Sequence, residues 1–230
     1  MRKYIPYGVK RLVSPFLGGG SFELACAADG VNVYAADAFE LLINFWQRAK
    51  DSPHFLAEKV KDHFPLKRHR FYSLQKRVVE IEDDFERAAV FYVLNRASFS
   101  GTTLSGGMSS GHPRFTESAI QRLRDFRAPN LHVTCADFKD TLLRYPDEFL
   151  YLDPPYANEE RLYGMQGNMH SGFDHEGLAE LLRGRTGWVL SYNDHPDIRK
   201  MYHGFDLVTP YWQYGMSNNK TSNELLILNV

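Results

Sequence analysis

Cysteine is nearly missing: Cys26 and Cys135 are the two in 230 residues, far apart and in no CxxC pair. A disulfide framework is therefore not expected, and a reducing cytoplasm is the expected setting. Long apolar runs are missing as well. None approaches the ~18 residues that mark a membrane-spanning helix. The opening MRKYIPYGVK has no apolar core, so no signal peptide is expected. An excess of one charge is also lacking. The net charge is −1, so any surface for nucleic acid must be local rather than a global basic field. The nine histidines show no ligand spacing such as HxxxH beside a carboxylate, and no metal is expected. Internal repeats and low-complexity tails are absent from the sequence.

What is present is a chain long enough for one large domain or a core plus an insert, with 43% hydrophobic residues. RLVSPF (11–16) reads as a strand, LGGGS (17–21) as a glycine turn and FELACAA (22–28) as a helix stopped near Gly30. VNVYAAD (31–37) is a second strand with an acid at its end, completing a βαβ unit. AFELLINFWQRAK (38–50) continues as a helix. From Asp51 the character changes. KRHRFYSLQKR (67–77) mixes basic and aromatic residues, FERAAVFYVLNRA (85–97) is helical, and a long Gly/Ser/Thr loop (98–115) leads to a helix that Thr116 caps. Strand and helix signals then alternate again: NLHVTCAD (130–137), FLYLD, a helix at 174–184 ended by glycine, and GWVLSYND (187–194). DLVTPYWQYG and NELLILNV close the chain as an antiparallel pair. Alternation at both ends around a basic middle predicts an α/β doubly wound sheet with an inserted region.

Two stretches carry chemistry. In PFLGGGSFEL, glycines between strand and helix admit a ligand to the backbone, and the helix N-terminus adds a favourable field. Asp37, about twenty residues on, stands where an acid holds ribose hydroxyls. Glu23 occupies the place where the dinucleotide fingerprint needs glycine, and no Gly-Lys-Ser/Thr follows. Asp137 with Phe138 can set a carboxylate and a ring against a purine. Three acid-tipped strands around one glycine loop suit a nucleoside bearing a positive centre better than one bearing phosphates. An ordinary capped βα turn would leave the same trace.

The second stretch is YLDPPY. Proline cannot continue a ladder, so Pro154 and Pro155 end the strand and fix a rigid loop at its C-terminal edge, where open α/β sheets bind ligands. Asp153 and the Pro154 carbonyl offer two acceptors for one amino group, drawing its nitrogen toward sp³ geometry. Tyr156 offers a face to a flat base. Methylation of an exocyclic amine needs that set, although a proline-rich turn with a surface tyrosine has the same letters.

With these residues in place the chain resembles the Dam-type DNA adenine-N6 methyltransferases of the DPPY, alpha-order group. The resemblance rests on SPFLGGGSFEL, YAADAFELLINFW, LNRASFSG, CADF, YLDPPY, YGMQGNMHSGFDHEGLAELL, VLSYND and NELLILN, and covers nearly the whole chain. It implies a Rossmann-like S-adenosylmethionine-dependent methyltransferase sheet (1–50 and 129–230) with an inserted, mainly helical target-recognition region (51–128). It further implies a cofactor loop of Phe16, Gly18, Gly19 and Gly20, with Asp37 on the ribose and Asp137 and Phe138 at the cofactor adenine. Asp153, also placed at the cofactor, would act with Pro154, Pro155 and Tyr156 on the target adenine. YIPYGVK is similar to the family's aromatic-Gly-Lys entry segment, which implies Tyr7 and Lys10 near the cofactor; the helix that usually separates that segment from the glycine-loop strand is missing here.

In the middle region, Lys67, Arg68, Arg70, Lys76 and Arg77 are candidates for phosphates, and Phe71 or Tyr72 for the gap left by a flipped base. A solvated helix face would look the same. Asn95 and Arg96 either touch DNA or cap and brace the long loop, and His112 and Arg114 are further candidates for base or phosphate contacts. Cys26 and Cys135 are expected as small buried hydrophobes. The implied partners are double-stranded DNA and no membrane, with a monomer expected, in the cytoplasm of a bacterial or phage-infected cell. The sequence does not tell whether a restriction endonuclease accompanies the chain. Two alternatives stay open: methylation of another amine (cytosine in DNA, adenine in RNA, a protein glutamine), or a DNA-binding module of this fold without turnover.

Overall fold

A computed structural model describes residues 2–109, 111, 114–156, 172–210 and 224–230. In chain order the elements are β1 (Arg11–Ser14), α1 (Ser21–Ala28), β2 (Asn32–Asp37), α2 (Glu40–Asp51), α3 (Pro53–Lys61), α4 (Arg68–Arg77), α5 (Asp84–Ala97) and α6 (Glu117–Arg124). They continue with β3 (Leu131–Cys135), α7 (Phe138–Arg144), β4 (Phe149–Leu152), α8 (His175–Arg183), β5 (Trp188–Asn193), α9 (Pro196–Met201), β6 (Asp206–Val208) and β7 (Glu224–Asn229). They group into two compact units. One holds the sheet (residues up to 37, 130–156 and 172 onward among those described), the other the helices of 38–129.

The sheet has strand order β3-β2-β1-β4-β5-β7-β6, with β7 antiparallel to β5 and β6 and the remaining pairs parallel. Central strands buried on both faces need continuous apolar runs. Leu12 and Val13 on β1 and Leu150 and Leu152 on β4 are fully buried accordingly. The β6–β7 pairing, Leu207 opposite Ile227, is the closing antiparallel pair expected from sequence. Strand order reverses between β1 and β4: β1 is followed outward by β2 and β3, β4 by β5. That reversal is the switch point at which such sheets open a crevice beyond the strands' C-terminal ends. One apolar layer, built on Val13, Leu150, Leu152, Trp188, Tyr192 and Ile227, fills one side of the sheet.

β3 is the outer strand of this sheet, and its edge position corrects one expectation. Cys26, on α1, is buried as anticipated, whereas Cys135 at the end of β3 is exposed. Phe138–Arg144, which carries no element signal in the sequence, forms α7. Asp137 caps it by accepting a hydrogen bond from the Lys139 N–H at 2.8 Å.

The helical unit is centred on α5. Ala88, Ala89, Val90, Phe91, Tyr92, Val93 and Leu94 are all buried, as befits a helix apolar on every side. Asp83 caps its N-terminus through the Glu86 N–H. Thr116 caps α6 through the Ala119 N–H at 3.2 Å, as its sequence signature predicts. α2 belongs to this unit: Leu41 and Ala49 join its core, and Asn44 Nδ2 donates to the Asp84 carbonyl at 2.9 Å. Residues 38–50, placed with the sheet on sequence alone, therefore group with the helices.

Candidate active site

Two loops leave neighbouring strands at the switch point. The glycine loop follows β1, and Asp153-Pro154-Pro155-Tyr156 follows β4. Adjacent strands lie about 4.8 Å apart, so the two stretches that sequence singled out are brought together by one pairing, Val13 beside Leu150. Within the glycine loop, Gly18 has φ 47° and Gly20 φ 65°, and Gly20 sits at the N-cap of α1. L side chains disfavour that left-handed backbone, which explains glycine at both positions. The Gly18 N–H donates to Asp37 Oδ2 at 3.0 Å, tying the acid at the end of β2 to the loop.

Around this loop stand three rings: Phe16 and Phe138 with centroids 5.7 Å apart, Phe16 and Phe173 at 5.6 Å, and Phe138 and Phe173 at 5.2 Å. Phe138 is 5% exposed, so most of its ring faces the apolar core, with Phe16 and Phe173 beside it. On the other side of the DPPY loop, the half-buried Tyr156 ring lies 6.5 Å from that of Tyr192. The Tyr192 hydroxyl is hydrogen bonded to His175 Nδ1 at 2.6 Å. Phe173, His175 and Tyr192 were missed by sequence reasoning as individual residues. Their signal is only that aromatic residues recur in SGFDH and LSYND, and nothing in the string says that these converge.

The electrostatics are unusual. Asp153 retains solvent access but is surrounded by protein mass. That enclosure, with the charge of Glu224 added, pushes its carboxyl up to about 7. Glu23 is 2% exposed in the first turn of α1. Burial pushes it up to about 7, with the nearby charges of Asp153 and Asp37 adding to the rise and the Ser14 hydroxyl, which donates at 2.6 Å, opposing it. Tyr151, on β4 between them, is shifted upward by burial and then by Asp153, Glu23 and Glu224. Among the described residues, the charges that raise these carboxyls are those of other acids. Carboxyls strongly perturbed in this way cluster at functional sites. A glycine loop ringed by acids suits a ligand with a positive centre and would repel a polyphosphate, so the donor set fits a sulfonium nucleoside such as S-adenosylmethionine. Among the described residues no group of acids, histidines and cysteines has the arrangement of a metal site.

Tyr7 and Lys10 do not join the cluster. Lys10 directly precedes β1, at its N-terminal end, whereas the glycine loop follows the C-terminal end. Tyr7 is fully exposed. The chain runs straight from this segment into β1, so Lys10 lies at the opposite end of that strand from the glycine loop.

In the helical unit, Lys67 at the N-cap of α4 and Arg68, Arg70, Lys76 and Arg77 along it are exposed. Phe71 is fully buried, which removes it as a filler for a vacated base position. Arg114 Nη2 donates to the carbonyls of Asn95 and Ser98, both at 2.8 Å, and Asn95 Nδ2 donates to Gly101 O and Thr103 Oγ1. These two residues brace the turn after α5, where Ser100 and Thr103 both have φ 52°. Arg96 lies over the Tyr92 ring at 5.3 Å. His112 falls outside the described residues.

Comparison with known proteins agrees with this geometry. The model of the D12 class N6 adenine-specific DNA methyltransferases matches residues 1–216. The chain is 27% identical over 229 residues to a DNA N-6-adenine-methyltransferase of Escherichia phage P1, an alignment covering 87% of the chain and 29% of that protein. It is 24% identical to the type II methyltransferase M1.LlaDCHI of Lactococcus lactis, covering 88% of the chain and 79% of the relative. With the DNA adenine methylase of Haemophilus influenzae it shares 25% identity, over 95% of the chain and 83% of the relative. The chain thus spans under a third of the phage relative's length and about four-fifths of the other two. A match of that extent, over a sheet that brings the glycine and DPPY loops together at its switch point, means that the chain belongs to the D12 class of N6 adenine-specific DNA methyltransferases.

Proposed function

We propose that the protein transfers a methyl group from S-adenosylmethionine to the exocyclic amine of an adenine flipped out of duplex DNA. The observation that carries this reading is the adjacency of the glycine loop and the DPPY loop on β1 and β4. S-adenosylmethionine supplies the electrophilic methyl and a positive sulfur. Asp37 holds the ribose hydroxyls while anchoring Gly18, and the acids around the loop favour the positive charge. Phe16 and Phe173, both half-buried, offer ring surface beside the glycine loop. Tyr156 stacks on the target base, and the Asp153 carboxylate and Pro154 carbonyl accept the hydrogens of its amine. Those bonds pull the amine's lone pair out of conjugation. A fixed approach geometry supplies much of the remaining acceleration. Extruding the base costs a few kcal/mol. The exposed cations of α4 would offset part of that cost through phosphate contacts.

Labelled S-adenosylmethionine offered in parallel with unmethylated duplex DNA, RNA and a protein lysate, followed by nucleoside analysis, tests the reading. Label recovered as N6-methyladenine from DNA is the expected result. Label confined to cytosine, RNA or protein would overturn the substrate assignment, and no transfer with retained DNA binding would overturn the activity.

A further inference from the structure

Asp153 belongs to a polar row that the proposed chemistry does not yet use. Successive side chains of a strand point to opposite faces. Leu150 and Leu152 on β4, Trp188, Leu190 and Tyr192 on β5, and Leu225 and Ile227 on β7 all enter one apolar cluster, and so face one side of the sheet. Tyr151 and Ser191, at the alternate positions of β4 and β5, face the other, as does Glu224 on β7. Continued past Leu152, the same alternation puts Asp153 on that side too. The register completes the placement. Leu152 pairs with Leu190, which makes Ser191 the neighbour of Asp153, and Asn193 pairs with Glu224 on the next strand. Ser191 is fully buried and its hydroxyl is hydrogen bonded to Glu224 Oε1 at 2.5 Å, so the glutamate reaches over β5 to the residue that neighbours Asp153. On the far side of β4, Ser14 holds Glu23 in the same way at 2.6 Å. The DPPY aspartate thus stands between two serine-anchored glutamates.

We propose that Glu224, held by Ser191, is a positioning residue for Asp153: its negative charge keeps the Asp153 carboxylate a strong acceptor for the hydrogens of the target amine. The inference rests on the assignment of Asp153 as that acceptor. Among the described residues, the titratable groups coupled to this row are Glu224 from β7, Glu23 from α1 and Tyr151 on β4, with Tyr156 acting on Tyr151 and Asp37 on Glu23. The charge of Glu224 raises the proton affinity of Asp153, and ionised Glu23 and Asp153 repel one another as well. A stronger base is a better hydrogen-bond acceptor, so the arrangement trades ionisation at low pH for polarising power above it.

The test is an NMR titration of the Asp153 carboxyl carbon in the free protein, wild type against Glu224→Gln, with the pH dependence of methylation measured alongside. The expected result is a midpoint roughly half a unit to one unit lower in the variant, as one like charge a few ångströms away produces. The acid limb of the rate should move the same way, with a lower plateau rate. An unmoved midpoint overturns the proposal. Should Glu224→Gln not fold, Ser191→Ala replaces it, keeping the charge but releasing it from its anchor. A lowered midpoint there supports the proposal and an unchanged one overturns it. A wild-type protein that methylates no DNA adenine would sink the proposed function, while the titration would still decide whether Glu224 acts on Asp153.

Discussion

Acids around the DPPY loop of the sheet keep different company from the acids of the helical unit. In the helical unit, carboxylates face cations: Glu58 with Arg124, Asp84 with Arg48 and Arg87, Glu86 with Lys59. At the C-terminal edge of the sheet, Glu23 and Glu224 are hydrogen bonded to serine hydroxyls, and each is electrostatically coupled to Asp153. The sheet unit also uses ordinary pairs elsewhere, as with Arg11 and Glu148 at the opposite end of β1. The contrast therefore separates a site from its surroundings rather than one unit from the other. Acids paired with bases hold structure. Acids clustered beside one another store a cost that falls when a ligand brings positive charge or hydrogens to share.

The largest break in that contrast comes from Asp153→Ala. Removing the amine's acceptor should lower the methylation rate by roughly 10²–10³ or more, the scale of losing one preorganised polar contact to the reacting group. Cofactor affinity should stay within a few-fold, read by calorimetry.

Next is Glu23→Gln, read by chemical unfolding at pH 5 and pH 8. Glu23 is raised from 4.5 to about 7 in the folded protein. The unfolded chain loses that proton first, so wild-type stability is full below about 4.5 and falls as pH rises through about 7. The loss approaches about 3 kcal/mol in all. Glutamine cannot ionise, so the variant should lose distinctly less stability between the two pH values. An equal loss in both proteins would show that Glu23 is not the group responsible.

Asp37→Ala removes the acceptor of the Gly18 N–H together with the proposed ribose contact. Cofactor affinity should fall roughly 10–100-fold, consistent with about 1–3 kcal/mol for an orphaned donor. The smallest effect belongs to a paired acid's partner. Arg124→Ala, in the exposed pair with Glu58, should shift stability by less than ~1 kcal/mol in thermal unfolding and leave methylation unchanged.

Much of this was legible because the chemistry sits in contiguous strings. The glycine loop, Asp37 and DPPY each announce a turn at a strand end, and strand ends are where an open sheet binds. The parts that were not legible depend on register. Ser191 and Glu224 lie 33 residues apart and meet only through the antiparallel pairing of β5 with β7. Glu23 read only as a departure from a glycine fingerprint, since burial of a helix's first turn is a tertiary fact. Residues 38–50 have a clear apolar stripe, but a stripe does not say which core it faces. In the same way, KRHRFYSLQKR showed its cations correctly and hid that Phe71 points inward. Cys135 was misplaced because nothing local tells an edge strand from a central one.

The central claim is that Asp153 acts as an ionised acceptor for the target amine, held near neutrality by its surroundings. Single-turnover methylation across pH 5–9, wild type against Asp153→Asn, tests it most directly. The wild-type rate should fall on the acid side with a midpoint at or below about 7, since a bound positive sulfur favours the ionised form. The asparagine variant should be slower and flat over the same range. An acid limb unchanged in the asparagine variant would contradict the account and assign the titration to another group.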